Sequence, residues 1–309
     1  MPRFPGFLSL RLLLWALGAT SSAAILADTS CVVVTYNVEN YHLREWGNRH
    51  VKPEASRSAV AEILAQIHPD VVALQEIGEP AALDDLQQSL ASRGVALPHR
   101  EHLGGWDTNL FIAVLSRFPI VRRAAHTNDS FLLDGRRFHS SRPVLEVELE
   151  LTPAHHLSLI TAHLKSRRPI ASADESALRA EEARLLRAHV DTAVQRNGDQ
   201  PLIVCGDFND SPDSKTLKTL LGRGRFRLLD TRPAERGAGS ATLDPSIRSV
   251  TWTHFYARED SYSRIDYVLL SQASAAFCVR EGTFVWSGSG WGRASDHRPV
   301  VCELRVPDR

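Results

Sequence analysis

The chain has no surplus of either charge: Lys and Arg together number 36, Asp and Glu together number 36, in 309 residues. That balance leaves no global basic footprint of the kind that holds a protein to nucleic acid by its field alone. No apolar run reaches the roughly 18 to 20 residues of a membrane span. The four cysteines, Cys31, Cys205, Cys278 and Cys302, show no C-x-x-C spacing, which argues against a structural zinc site. No repeat of about 20 to 50 residues is visible, which sets aside solenoids and propellers. No linker-like segment divides the chain.

What is present begins with a leader. Arg3 and Arg11 supply a positive start, Leu12 to Ala19 is a short apolar stretch, and Ser21-Ser22-Ala23-Ala24 offers small residues for cleavage. This is the pattern of a secretory signal peptide cut between Ala23 and Ala27, too short to be an anchor. The expected organisation is therefore a signal peptide over residues 1–27 and a single domain over 28–309, exported to the periplasm or the cell exterior. Losing the leader removes two arginines and no acid, leaving 34 basic and 36 acidic residues. Basic residues still cluster locally, at Arg136-Arg137 with Arg142 and at Lys165 with Arg167-Arg168. Export permits disulfides, but the cysteines lie in or beside apolar, strand-like stretches, so buried thiols are expected for at least two of the four.

An apolar content of 43% suffices for a substantial core. Cys31 to Val38 is a β-branched run and reads as a strand. Val60, Ile63, Leu64 and Ile67 recur at helical spacing between Pro53 and Pro69, and Val71 to Leu74 is the next buried strand. Strand, helix, strand is a crossover unit, which brings both strand ends to one sheet edge. A short helix from Pro80 follows. The chain then becomes strand-rich at Leu110–Leu115, Ile120–Ala125, Val144–Leu151 and Leu157–Ala162, with a long loop expected over 127–142. Helices are expected over Ala173–Val194 and Pro212–Leu221, with the strand Leu202–Cys205 between them. Further strands are expected at Val250–Tyr256, Ile265–Leu270, Phe277–Val285 and Pro299–Val306, after a loop near 231–249. Many strands, four helices and mixed hairpin and crossover connections indicate an α/β sandwich of two packed sheets with helices outside.

The chemistry sits at the ends of these apolar runs. Thr35-Tyr36-Asn37, Leu74-Gln75-Glu76, Thr161-Ala162-His163, Gly206-Asp207-Phe208-Asn209, Arg264-Ile265-Asp266-Tyr267 and Ser295-Asp296-His297 each place polar groups at a strand tip. A carboxylate there, such as Glu76 or Asp296, is costly unless a positive charge meets it, and the tips contain no matching buried Lys or Arg. A hard divalent cation answers the need, and oxygen ligands favour Mg²⁺ or Mn²⁺ over zinc. Asp207 and Asn209, two apart in an extended segment, face one side and suit a pair in which one group activates a water and the other orients it. Asp296 and His297 are adjacent and point oppositely, so another carboxylate, Asp266, is the candidate to orient the imidazole. Charged by that partner, His297 would bind a phosphate oxygen, with His163 as a second donor.

In this order the clusters resemble the endonuclease/exonuclease/phosphatase superfamily, the deoxyribonuclease I-like fold. The resemblance rests on Tyr36 to Asn40, Gln75-Glu76, Leu115 to Pro119, His163 to Ser166, Gly206 to Asn209, Arg264 to Tyr267 and Ser295 to Pro299, and spans nearly all of the mature chain. It implies a four-layered α/β sandwich of two mixed sheets and Mg²⁺-dependent phosphoester cleavage. By the same resemblance Glu76 is the principal metal ligand, with Asn37 near the metal and Asp296 a further ligand. Asp207 and Asn209 handle the water, while His163 and His297, the latter held by Asp266, bind the phosphate. Arg142 resembles a phosphate-contacting arginine, and Lys165 joins it in the basic loop beside His163.

The Pro-Ser-Trp-Cys run of inositol polyphosphate phosphatases is absent; Ser261-Tyr262-Ser263 stands there instead. His163-Leu164-Lys165-Ser166 resembles exported bacterial nucleases of the superfamily. The leading expectation is an exported phosphodiesterase acting on DNA or RNA, with no stable protein partner implied. The alternatives are a phosphomonoesterase, a sphingomyelinase-like phospholipid phosphodiesterase, for which Phe131-Leu132-Leu133 is the strongest apolar hairpin candidate, and a non-catalytic binding module.

Overall fold

The β-branched runs expected as strands do form strands, in two sheets whose facing surfaces make the central core. The computed structural model describes residue 1, residues 28–236 and residues 251–307. The leader, most of the loop near 231–249 and Val250 lie outside the described residues.

The first half of the chain contains β1 (Thr29–Tyr41), α1 (Glu54–Ile67), β2 (Val71–Ile77), α2 (Pro80–Ala91), β3 (His99–Gly104), β4 (Phe111–Ser116), β5 (Ile120–His126), β6 (Ser130–Leu133), β7 (Arg136–His139), β8 (Val144–Thr152) and β9 (His155–His163). The second half contains α3 (Glu175–Asn197), β10 (Leu202–Asp207), α4 (Lys215–Leu221), β11 (Leu229–Asp230), β12 (Ala234–Arg236), β13 (His254–Tyr256), β14 (Ser261–Ser263), β15 (Asp266–Leu270), α5 (Gln272–Phe277), β16 (Cys278–Trp286), α6 (Trp291–Ala294) and β17 (Val300–Val306).

One sheet has seven strands in the order β12-β16-β17-β1-β2-β4-β3, and the other has six in the order β11-β15-β10-β9-β8-β5. Alternation along β1 shows how the layers are built: Val33 enters the core between the sheets, whereas Val34 points the other way into the core under α1 and α2. On the far side, Leu186 and Val190 of α3 and Leu217 and Leu220 of α4 cover Ile160 and Val204 of the second sheet. The result is the expected four-layered sandwich. No helix among the described residues is long and apolar enough to cross a membrane.

Two parallel pairs place the polar tips. α1 carries the chain from β1 to β2, and α3 carries it from β9 to β10, so each pair ends at the same edge. β17 and β15 run antiparallel to β1 and β10 respectively, so the residues at their beginnings reach that edge too.

The structure departs from the sequence reading in several places. Residues 130–139 are not loop but a hairpin of β6 and β7, turned by Asp134-Gly135 with both φ positive, 49° and 75°. Those values fit the two-residue turn that Asp-Gly favours, a signal present in the sequence. β3 was not expected, because its polar pattern suits an edge strand. The segment around Phe277 divides into α5 and β16, and α5 and α6 bring the described helices to six rather than four. All four cysteines are free thiols, three of them buried.

Gly206 is indispensable to this framework. Its φ is 142°, and a Cβ there would lie 1.9 Å from the Ala162 carbonyl oxygen of the neighbouring strand. Gly206→Ala is expected to cost about 3 kcal/mol or more, from backbone strain and overpacking together, as read by urea unfolding.

Candidate active site

Strand register assembles the rim. Asn37 lies opposite Gln75, and Asp207 lies opposite His163 on one side and Asp266 on the other. Just below, the sheets are tied by polar side chains: Gln75 Nε2 donates to Thr161 Oγ1 at 3.2 Å and to Thr35 Oγ1 at 3.1 Å. The β2–β4 pairing slips between Gln75 and Ile77, and Glu76 there takes a left-handed φ of 59°. A bulge of this kind redirects a side chain, and it leaves Gln75 between the sheets and Glu76 on the rim.

Asp207 is the centre of the arrangement. Only 1% exposed, it accepts from the Asn209 backbone N–H at 2.9 Å and from Asn37 Nδ2 at 3.1 Å. His163 Nε2 and His297 Nε2 stand 3.4 and 3.8 Å from its Oδ2. Burial, followed by the neighbouring Asp266 carboxylate, pushes its pKa up to about 7.

His297 Nδ1 pairs with Asp266 Oδ2 at 2.9 Å, as the sequence reading required. Its backbone is held by Ser295 Oγ, which accepts from the His297 N–H at 3.0 Å and itself donates to the Asn37 carbonyl at 2.8 Å. Burial opposes its charge, but Asp266, Asp207 and Asp296 outweigh burial and hold its pKa well above the ordinary imidazole value. His163 is the opposite case. Burial, then the charges of Arg142 and His297, keep its pKa well below the ordinary value, so it is a neutral imidazole.

Asn209 takes a left-handed φ of 53°, and its Nδ2 is committed to the Leu164 carbonyl at 3.0 Å. That leaves its Oδ1 as the atom able to orient a water. Arg142 donates to the same carbonyl at 3.2 Å, and its Nε is buried without a partner. Lys165 Nζ donates to the carbonyls of Ser166 and Arg168, both at 2.9 Å, while its charge, like that of Arg142, acts on His163.

Glu76 Oε2 accepts from the Asn40 N–H at 3.1 Å, and its Oε1 faces Asn37 Nδ2 at 3.4 Å. Asp296 is half-buried beside His254 Nε2 at 3.7 Å and His297 Nε2 at 3.9 Å. Sequence reasoning missed two groups here. Glu39 lies in the Tyr36–Asn40 cluster with no expected role, and burial followed by the charges of Asp296 and Glu76 raises its pKa. Lys52, just before α1, is buried with its Nζ donating to the Glu39 carbonyl at 3.0 Å and 3.6 Å from Glu39 Oε2. Burial pulls the Lys52 pKa down, against the pull of Glu39, Asp296 and Glu76.

The donor chemistry at this end fits a hard divalent cation. Glu76, Glu39 and Asp296 face the Lys52 ammonium, with the His297 imidazolium also beside Asp296 at 3.9 Å, and a divalent ion would offset remaining negative charge with oxygen ligands from Glu76, Asn37, Asp296 and Glu39. The tightest carboxylate and imidazole groupings among the described residues, Asp207 with Asp266 and His297, and His254 with Asp296 and His297, do not include Glu76. Aspartate–histidine pairing accounts for the first of these, so the oxygen-rich corner is the better candidate.

Buried Asp207 and Asn209 thus lie beside two imidazoles and a carboxylate-rich corner. The chain belongs to the endonuclease/exonuclease/phosphatase family, whose model matches residues 34–297. Members of that family are typically metal-dependent phosphoester hydrolases. The chain is similar to the human nocturnin catalytic domain with bound sulfate (18% identity, 91% of this chain and 96% of that one, TM-score 0.63). It is also similar to sphingomyelinase C from Streptomyces griseocarneus (23%, 89% and 99%, TM-score 0.59) and to truncated Caenorhabditis elegans TDP2 (15%, 90% and 98%, TM-score 0.59). A stretch of 177 residues is 29% identical to nocturnin of Drosophila melanogaster, covering 55% of this chain but 26% of that protein.

Lys52 gives this corner a test. In Lys52→Met the carboxylates lose their internal cation, so the metal-free protein is expected to melt lower and its Tm to rise more on Mg²⁺ addition than the wild type's. Thermal unfolding with and without Mg²⁺ measures both, and equal Mg²⁺ shifts would show that Lys52 does not share the site.

Proposed function

We propose that the protein is an exported, divalent-metal-dependent phosphodiesterase that cleaves nucleic acid. The observation that carries this reading is the buried pairing of Asp266 with His297 at 2.9 Å, with His297 Nε2 left facing Asp207 at 3.8 Å. It separates a proton-accepting carboxylate from a proton-donating imidazolium within one small space.

The reaction follows from those states. A water oriented by Asn209 Oδ1 gives its proton to Asp207, whose pKa near neutrality suits a general base. The water oxygen bonds to phosphorus as the bond to the leaving oxygen breaks in line. His297, as a cation, and neutral His163, through Nε2–H, donate to the non-bridging oxygens as negative charge builds there. Arg142 adds a fixed positive charge at the same end. A divalent ion held by Glu76, Asn37 and Asp296 would neutralise further charge on the phosphoryl group and leaving oxygen. Mg²⁺ or Mn²⁺ suits those oxygen ligands, and the leader over residues 1–27 directs export.

Asp207→Asn is expected to lower kcat about a thousandfold, and Asp266→Asn to lower it by about tenfold to a hundredfold by freeing the His297 ring. Both are measured with Mg²⁺ on plasmid, single-stranded DNA and RNA. Absence of fragment release from all three would remove the nuclease reading. Faster hydrolysis of nitrophenyl phosphate than of bis(nitrophenyl) phosphate would favour a phosphomonoesterase. N-terminal sequencing of protein recovered outside the cytoplasm should begin between residues 24 and 28; a retained leader would overturn export.

A further inference from the structure

A large aromatic side chain stands in water next to the phosphate-binding end of the site. Trp106, between β3 and β4, is 62% exposed, yet it is not loose. Its ring lies flat on His139, the last residue of β7, with centroids 4.0 Å apart and planes 4° from parallel. The segment carrying it is pinned on both sides. The Asp107 N–H donates to the Ser141 carbonyl at 2.7 Å, and Trp46 Nε1 donates to the Thr108 carbonyl at 2.7 Å. Gly105 presses so closely on the following residues that a Cβ would lie 2.7 Å from Pro143 Cδ and 3.2 Å from the Arg142 carbonyl carbon.

These contacts hold the segment that carries the ring against the backbone of Ser141, Arg142 and Pro143, and the charge of Arg142 acts on His163. On the strand that carries His139, Arg137 shares its face, is exposed and has no carboxylate partner among the described residues, its Nη1 donating to Ser130 Oγ at 3.0 Å. A rigid aromatic face on a segment packed against Arg142, and stacked on the residue two along from Arg137, suits a polyanion that presents flat π-faces. A duplex keeps those faces stacked inside, so only an unpaired base can lie on Trp106. The same cations disfavour a quaternary ammonium headgroup.

We propose that Trp106, backed by His139, is a base-stacking platform that makes single-stranded nucleic acid the substrate of this site. The inference rests on the phosphodiesterase reading. One base next to the scissile phosphate stacks on the indole, and that contact places the phosphate between Arg142 and the two imidazoles.

The test compares a single-stranded oligonucleotide with the same strand carrying abasic positions, cleaved by wild type, Trp106→Ala and Trp106→Phe. Wild type should prefer the base-bearing strand by roughly tenfold in KM. Trp106→Ala should lose that preference, and Trp106→Phe should recover most of it. A merely structural role would weaken both strands alike and leave the ratio intact, which would overturn the platform. So would Trp106→Ala losing binding to sphingomyelin–phosphatidylcholine vesicles while keeping the base preference, since the patch would then be a membrane contact. If wild type cleaves bis(nitrophenyl) phosphate but no oligonucleotide, the platform fails and the phosphodiesterase reading stands. If it cleaves neither, the underlying reading fails.

Discussion

Two buried carboxylates sharing one imidazolium hold the centre of this protein together. Asp207 and Asp266 sit opposite one another on neighbouring strands, each 1% exposed. Two such charges repel strongly where water cannot screen them. His297 comes between them from outside the sheet, bonded to Asp266 and near Asp207, and its charge is maintained by them in return. Burial and repulsion raise Asp207 toward neutrality, while the paired Asp266 keeps His297 cationic. The difference in their chemistry is thus a difference of partner, not of residue type alone.

Everything around that trio serves to keep it in place. Gly206 lets β10 approach β9 closely enough for Asp207 to reach its position. Ser295 ties the His297 backbone to the end of β1, so the imidazole from one sheet meets the carboxylates of the other. Thr253 Oγ1 accepts from the Ile265 and Asp266 N–H groups at 3.0 and 3.1 Å, holding the start of β15. The carboxylate-rich corner is a separate electrostatic problem, solved inside the chain only in part by Lys52, and the remaining negative charge is what makes it receptive to a cation.

Much of the architecture was legible because burial has a period. Runs such as Val32-Val33-Val34 and Leu202 to Cys205 are unambiguous strands, and the α1 and α3 patterns are unambiguous helices, so the crossover through α1 and its common edge follow. The polar tips were legible for the same reason, since a polar residue ending a buried run has little else to do. β3 and the β6–β7 hairpin were not, because exposed edge strands carry polar and charged residues that read as loop. The Asp134-Gly135 turn was the available signal.

By itself the sequence determined the order of the buried strands and the main helices, the family and most of the residues at the rim, because periodicity and strand ends are local properties. Tertiary structure decided which of them meet. It joined Asp266 to His297 across 31 positions and Asn37 to Asp207 across 170. It tied Lys165 Nζ to its own loop, brought Lys52 and Glu39 to the carboxylate-rich corner, and set Trp106 flat on His139. Contacts of that kind depend on loops whose course is fixed by packing against distant segments, and no spacing along the chain encodes them.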